Sequence, residues 1–393
     1  MATSRTRSWL SATPGSGKYY HKILGTWTTG TYKSRIATTC TDVVGNRKGV
    51  NSFSLEREGS REITMNGNYN GYIYEGYPTA AGSYNGPSHL LAAVPDSTQL
   101  NQYAVATVAK SNPNAPHVSI PTFVAELREL PSLIRSFGLK HLRYESQYRN
   151  GEAFTSRVGS MLADRHLQYR WGIAPMISDI RRLVSFSEAT QRALRGLERL
   201  ASGRVLKRKV QLDSGTAQSL ESNVPIWSIG AGAGVKNRRR LTTRKTWGSC
   251  QWRLVGPVPN ALITHDARLA TAKRLVGGLN PANLTATAWE ILPWSWFIDW
   301  FTGFGNLFTA TNNTVPVEHF NHCVMRTTST VETGEVSASP GITLSGTWYR
   351  FRESKIRRTV TTPNPVTISF EPILSADKWS ILSSLAISKR GLR

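Results

Sequence analysis

Residues 238–255 read RRRLTTRKTWGSCQWRLV, and this stretch decides the fold. Its branched and aromatic residues are bounded by Gly-rich turns, which is strand chemistry. It follows a long segment with the opposite, helical pattern. KRKVQL and SLESNVPIWSIG precede it between Arg204 and Val258, so strand character returns here after helix. Upstream, as far as about Val108, the chain is rich in Gly, Ser, Thr, Asn and Tyr, with β-prone runs such as YKSRIATT and GNYNGYIYEGYP. Downstream, a third β segment covers roughly Val315 to Phe370.

Between these lie two helical regions. Phe123, Leu127, Leu130, Ile134 and Phe137 recur at the three-four spacing of a helix buried on one face, with Pro131 as a kink or restart. A second helix is expected from about Glu152 to Arg170. A third begins with Pro175 in its first turn, its buried face marked by Ile177, Ile180 and Val184. Helix resumes near Ala261, stops at Gly277-Gly278 and restarts at Asn280-Pro281. The tail SADKWSILSSLAIS reads as a short amphipathic helix. The expected organisation is β over 1–120, α over 121–202, β over 203–260, α over 261–314, β over 315–372 and a final helix over 373–393. That order predicts an α+β fold, an antiparallel β-sheet region assembled from separated chain segments and packed beside an α-helical bundle.

The 393 residues carry 48 Lys and Arg against 25 Asp and Glu, a formal net charge of +23. Solubility needs far less, so a polyanion is the first partner to expect, and nucleic acid the commonest. Cys40, Cys250 and Cys323 have no CxxC spacing, which argues against a disulfide framework or zinc ribbon and for folding in a reducing cytoplasm. The N-terminal residues have no apolar run of signal-peptide length. The most apolar stretch, Leu284 to Phe308, contains Glu290, Pro293 and Asp299, so it is expected inside protein and not as a membrane span.

Enzymatic readings find little support. TPGSGK at 13–18 lacks the first Gly of a phosphate loop, and Tyr19 replaces its Ser or Thr. His319, His322 and Cys323 have no fourth ligand at a recurrent spacing. Glu290 and Asp299, nine residues apart, fall on opposite faces of a continuous helix and make a poor acid-base pair. Neither G-x-S-x-G nor H-E-x-x-H occurs. No catalytic residue, metal or cofactor is expected.

Basic residues are better placed. Arg128, Arg135 and Arg143 recur at spacings of seven and eight, opposite the apolar face of their helix; Arg181, Arg192 and Arg199 form a similar stripe after Pro175. With Lys140, Arg157 and Arg165 from the same helical region, these are the candidate RNA-binding residues. A solvated helix face has the same appearance. Strand segments carry a second kind of cluster: Lys207-Arg208-Lys209, then Lys236, Arg238, Arg239, Arg240, Arg244 and Lys245, then Arg350, Arg352, Lys355, Arg357 and Arg358. Alternation puts Arg350 and Arg352 on one face and Tyr349 and Phe351 on the other. Such clusters stack on bases, anchor protein interfaces or protect sheet edges, and sequence does not choose among these.

Two segments narrow the reading. RHLQYRWGIAPMISDI, 165–180, presents Trp171, Gly172, Pro175, Asp179 and Ile180; AWEILPWSWFIDWFTGFGNLF, 288–308, presents Trp289, Glu290, Pro293, Ser295, Asp299, Trp300, Gly305 and Asn306. Together with THDARLA at 264–270, they resemble signature stretches of the maturation (A) proteins of single-stranded RNA bacteriophages. The aromatics from Trp289 to Phe304 are too many for a surface helix and are expected at a joint between helices or between helix and sheet.

The resemblance implies a non-enzymatic protein of the virion, made in the host bacterial cytoplasm and carried as one copy in place of a coat-protein dimer. It would bind the 3′ region of the phage genomic RNA, attach the particle to a bacterial pilus or similar receptor and enter with the RNA. It also implies a helical bundle facing RNA and a sheet facing the receptor. Arg238, Arg239, Arg240, Arg350, Arg352 and Lys355 are then the candidate receptor residues. The competing reading is a cellular RNA-binding protein without a capsid role.

Overall fold

The computed structural model describes residues 3–45, 50–61, 63–78, 86–117, 120, 181–182, 184–227, 233–279, 314–361 and 363. The fold is α+β and mostly antiparallel sheet. Eleven strands form one sheet in the order β10-β4-β5-β1-β2-β3-β11-β9-β8-β6, with β7 paired to β8 off that path. The strands are β1 (Thr3–His21), β2 (Thr26–Val44), β3 (Phe53–Ser60), β4 (Thr64–Tyr69), β5 (Tyr72–Pro78), β6 (Leu206–Glu221), β7 (Val224–Trp227), β8 (Ala233–Leu254), β9 (Val317–Ala338), β10 (Ile342–Ser345) and β11 (Trp348–Val360). Strand groups far apart in the chain therefore do join one sheet, as the alternating order of β and α segments predicts.

Turn chemistry sets the hairpins. β4 and β5 meet at Asn70-Gly71, both at positive φ (49° and 82°), the two-residue turn whose twist matches paired strands. β1 and β2 run antiparallel from Thr3 opposite Val44 to His21 opposite Thr26, and Gly25 at φ +65° closes their turn. β3 pairs with β2 on one side and β11 on the other, and β11 continues antiparallel onto β9.

Three α-helices are described: α1 (Ser97–Ser111), α2 (Phe186–Ala201) and α3 (His265–Val276). α1 corrects the expectation of unbroken β structure over 1–120. Its Val, Thr and Gln content resembles that of the strands around it, yet Ala104, Val105, Val108 and Ala109 are buried at helical spacing. Asp96 starts it, its carboxylate accepting from Gln99 N at 2.7 Å. The expected helix near Ala261 is present: a 3₁₀ turn at Asn260–Leu262 precedes α3, whose Thr264 hydroxyl accepts from Ala267 N. α3 ends before Gly277-Gly278, where the glycines were expected to stop it. The other expected helices, over 121–180, after Asn280 and over 373–393, lie outside the described residues, as do Trp171, Gly172, Pro175, Asp179, Trp289, Glu290, Pro293, Asp299, Trp300 and Asn306.

The chain divides into two compact units. The first comprises 1–107, 209–249 and 321–362; the second comprises 108–208, 250–320 and 363–393. In the first, Met65, Tyr74 and Tyr77 form a small core ringed by Tyr19, Tyr69, Tyr72, Ile342 and Leu344. Burial among these rings pushes the Tyr74 phenol up to about 12. On β9 the alternate residues His322, Val324, Arg326, Thr328, Thr330 and Glu332 are all buried, so that face is closed by polar contacts as much as apolar ones. The segment 86–107 lies over it: His89 Nδ1 meets Thr330 Oγ1 at 2.7 Å, and Arg326 donates to the Ala92 carbonyl and the Thr246 hydroxyl.

Close approach of α1 to β8 within this unit requires Gly248. A Cβ there would sit 1.7 Å from Thr107 Oγ1 and 2.7 Å from Thr107 Cβ. Gly248→Ala is expected to destabilise the fold by about 1–3 kcal/mol or more, as overpacking does. Adding Thr107→Ala should restore only part, because the Thr107 Cβ remains in the way; denaturant unfolding of the single and double variants checks this.

Among the described residues, the second unit has the larger apolar cluster. Val108, Leu197, Leu200, Cys250, Trp252, Leu262, Ala272, Leu275, Val315 and Val317 are all buried in it. Trp252 Nε1 donates to Ser111 Oγ at 3.1 Å, and Ser111 Oγ lies 2.8 Å from Cys250 Sγ. Burial pushes the Cys250 thiol up to about 11, which leaves it no thiolate character at neutral pH.

Candidate functional site

α2 owes its orientation to FSEATQRALRGLERLA, in which Ala189, Thr190, Gly196, Leu197 and Leu200 are buried and Ala193 and Leu194 half-buried. Against that face, Arg192, Arg195 and Arg199 are exposed, at i, i+3 and i+7, on a single stripe. Arg199 is tied down by its Nε donating to the Val205 carbonyl at 2.9 Å, so the stripe's end is held in place. Beyond it, Arg204 and Lys207 are exposed too. Arg181, the third residue of the expected stripe, is exposed but precedes a turn at Ser185. Sequence reading missed Arg195, although its place three residues after Arg192 and four before Arg199 marks it. Six other expected RNA-binding residues, Arg128, Arg135, Lys140, Arg143, Arg157 and Arg165, lie outside the described residues.

Neighbouring Arg208 is different. Its Nη1 donates to the carbonyls of Ser111 and Asn112 at the end of α1, and burial lowers its pKa. It caps the end of α1 and is half-buried.

Four of the six candidate receptor cations also turn inward. Glu332 has no exposed surface, and its carboxylate accepts from Arg240 Nε at 3.1 Å and Trp348 Nε1 at 3.0 Å, with Arg350 Nη1 3.8 Å away. Arg240 also donates to Ser88 Oγ, and Arg238 pairs with Glu221. Arg352 pairs with Glu56 and lies 3.8 Å from Glu58; Arg239 donates to Gln218; Lys355 lies 3.0 Å from Glu353. The candidate receptor residues Arg238, Arg240, Arg350 and Arg352 are thus engaged within the protein, only 16–32% exposed. Of that set, Arg239 and Lys355 alone are exposed.

The opposite face of β11 carries the aromatics, as alternation predicts, but their cationic neighbours come from β3 and the residue just after it. Arg57 lies over the Phe351 ring at 5.5 Å and Arg61 over Tyr349 at 5.0 Å, while the two rings are 6.2 Å apart. Both arginines are exposed and both rings half-buried. Sequence reading missed Arg57 and Arg61 because the pairing that places them, Glu353 opposite Arg57 and Arg350 opposite Ser60, joins segments some 300 residues apart.

Among the described residues no group of three or more His, Cys, Asp or Glu could hold a metal ion, and no helix is long and apolar enough to cross a membrane. No family model matches the chain, and no curated protein matches it.

Proposed function

We propose that the chain is a virion protein of a single-stranded RNA bacteriophage that holds the genome through cationic helix faces and attaches the particle to its host. The observation that carries the RNA half is the exposed Arg192, Arg195 and Arg199 stripe on α2, set against a buried apolar face in a chain of net charge +23. Guanidinium groups spaced along a helix suit successive phosphates, which position RNA without reading its bases. In this reading the segments 121–202 and 261–314 form a helical bundle beside the sheet. The bundle faces the 3′ region of the phage genomic RNA, and one copy replaces a coat-protein dimer. Host attachment, to a pilus or similar receptor, falls to the sheet. Its contacts are better sought at Arg57, Arg61, Tyr349 and Phe351 than at the internally paired Arg350 and Arg352, because exposed Arg on aromatic rings suits an interface.

Replacing Arg192, Arg195 and Arg199 together with Ala tests the RNA half. All three are exposed, so thermal stability should stay near wild type. The slope of log affinity against log salt for genomic RNA should become shallower by about 2, three contacts at about 0.7 each. An unchanged slope would remove α2 from the interface.

A further inference from the structure

The turn joining β1 to β2 presents the most exposed large apolar side chains among the described residues of the first unit. Ile23 is 87% and Leu24 69% exposed, side by side at the end of a hairpin whose strands are 19 residues each. The turn is ordered: Gly25 N donates to the His21 carbonyl at 2.9 Å, Leu24 N to His21 Nδ1 at 3.1 Å, and Lys22 N to the Gly71 carbonyl of the adjoining β4-β5 turn at 2.9 Å. Behind the two aliphatics comes an aromatic layer. Trp27, 45% exposed, lies 5.2 Å from Tyr20, and Tyr72 packs against His21 at 4.6 Å. Lys18 stands over the Trp27 ring at 4.4 Å while pairing with Glu75, and Lys22 adds an exposed cation at the turn itself.

We propose that this double-hairpin tip docks on an anionic lipid bilayer, with Ile23 and Leu24 entering the acyl boundary. Three observations select lipid over other occupants. The apolar group is convex and sits on a rigid turn, a shape that inserts and does not enclose a ligand. Behind the aliphatic tip come Trp27, Tyr20 and Tyr72, aromatics of the kind enriched at membrane interfaces, while Lys22 flanks the tip where a headgroup would lie. Finally, Lys22 and the chain's +23 charge complement anionic headgroups. This inference goes beyond the RNA reading and does not depend on it, since it uses none of the α2 residues.

Flotation of the full chain with vesicles of phosphatidylglycerol and phosphatidylethanolamine, against vesicles of phosphatidylcholine alone, tests it. A +23 protein binds anionic vesicles by charge in any case, so the deciding comparison is Ile23→Ser/Leu24→Ser against wild type at about 1 M salt, where electrostatic attraction is screened within about 3 Å. Wild type should still float with the anionic vesicles. The double variant should partition about a hundredfold less, the loss of two inserted aliphatic side chains, with thermal stability and RNA affinity unchanged. Equal flotation of the two proteins at high salt, or none by wild type at low salt, would overturn the proposal. A wild type that ignores vesicles yet loses host adsorption on the same substitutions would also overturn it, assigning the tip to a protein pocket.

Discussion

Trp252→Ala is expected to cost the second unit about 3–5 kcal/mol, enough to leave many domains largely unfolded. Trp252 has no exposed surface, its indole packs edge-on against His319 at 5.4 Å, and its Nε1 proton is bound by Ser111. Alanine removes the ring, leaves a cavity among Leu197, Leu262 and Leu275, and takes one hydrogen bond from Ser111. Phenylalanine at 252 should recover most of the packing but not the hydrogen bond. Urea unfolding followed by far-UV circular dichroism gives both numbers. A loss under about 1 kcal/mol for alanine would mean that the core of this unit lies elsewhere.

Comparable damage is expected from Glu332→Ala, through electrostatics rather than volume. The substitution strips the shared acceptor from Arg240, Arg350 and Trp348 and leaves two part-buried guanidinium groups facing each other without a carboxylate between them. Removing one partner of a buried ion pair costs about 3–5 kcal/mol, and the 16–19% exposure of the two arginines places this case at the lower end. Glu332→Gln keeps the shape and one acceptor oxygen and should be milder. Arg350→Ala should likewise reduce stability. Host adsorption falling only in proportion to folded protein would mark Arg350 as structural; adsorption lost at full stability would return it to the receptor surface.

Much of the fold is legible in the sequence because it is local. The helix near Ala261 with its Gly277-Gly278 stop announces itself by residue type, and the RRRLTTRKTWGSCQWRLV run announces β8; the Asn70-Gly71 turn, inside a run that reads as continuous β, and the Thr264 cap show only in the structure. α1 is not legible in the same way: Val105, Thr107 and Val108 favour strands in isolation, and burial tips them to helix, Thr107 against Gly248 in the first unit and Val108 within the second unit's own core. The candidate site divides along the same line. The α2 stripe follows from helical spacing alone, Arg195 included. The fate of the strand arginines does not, because Glu332 is distant in sequence from Arg240 and because β3 and its end supply Arg57 and Arg61 to rings on β11. Even-numbered β8 residues do announce a shared face, yet nothing in the alternation says that Thr242, Arg244 and Thr246 face inward while carrying polar groups.

Ultraviolet crosslinking inside purified, nuclease-treated phage particles, read by mass spectrometry of the protein peptides, decides whether the chain holds the genome within the virion. The chain should be recovered at one copy per particle, with RNA adducts on peptides from Phe186–Ala201, the arginine-bearing helix. Absence of the chain from such particles, or its presence with no adduct on that helix, would contradict that role.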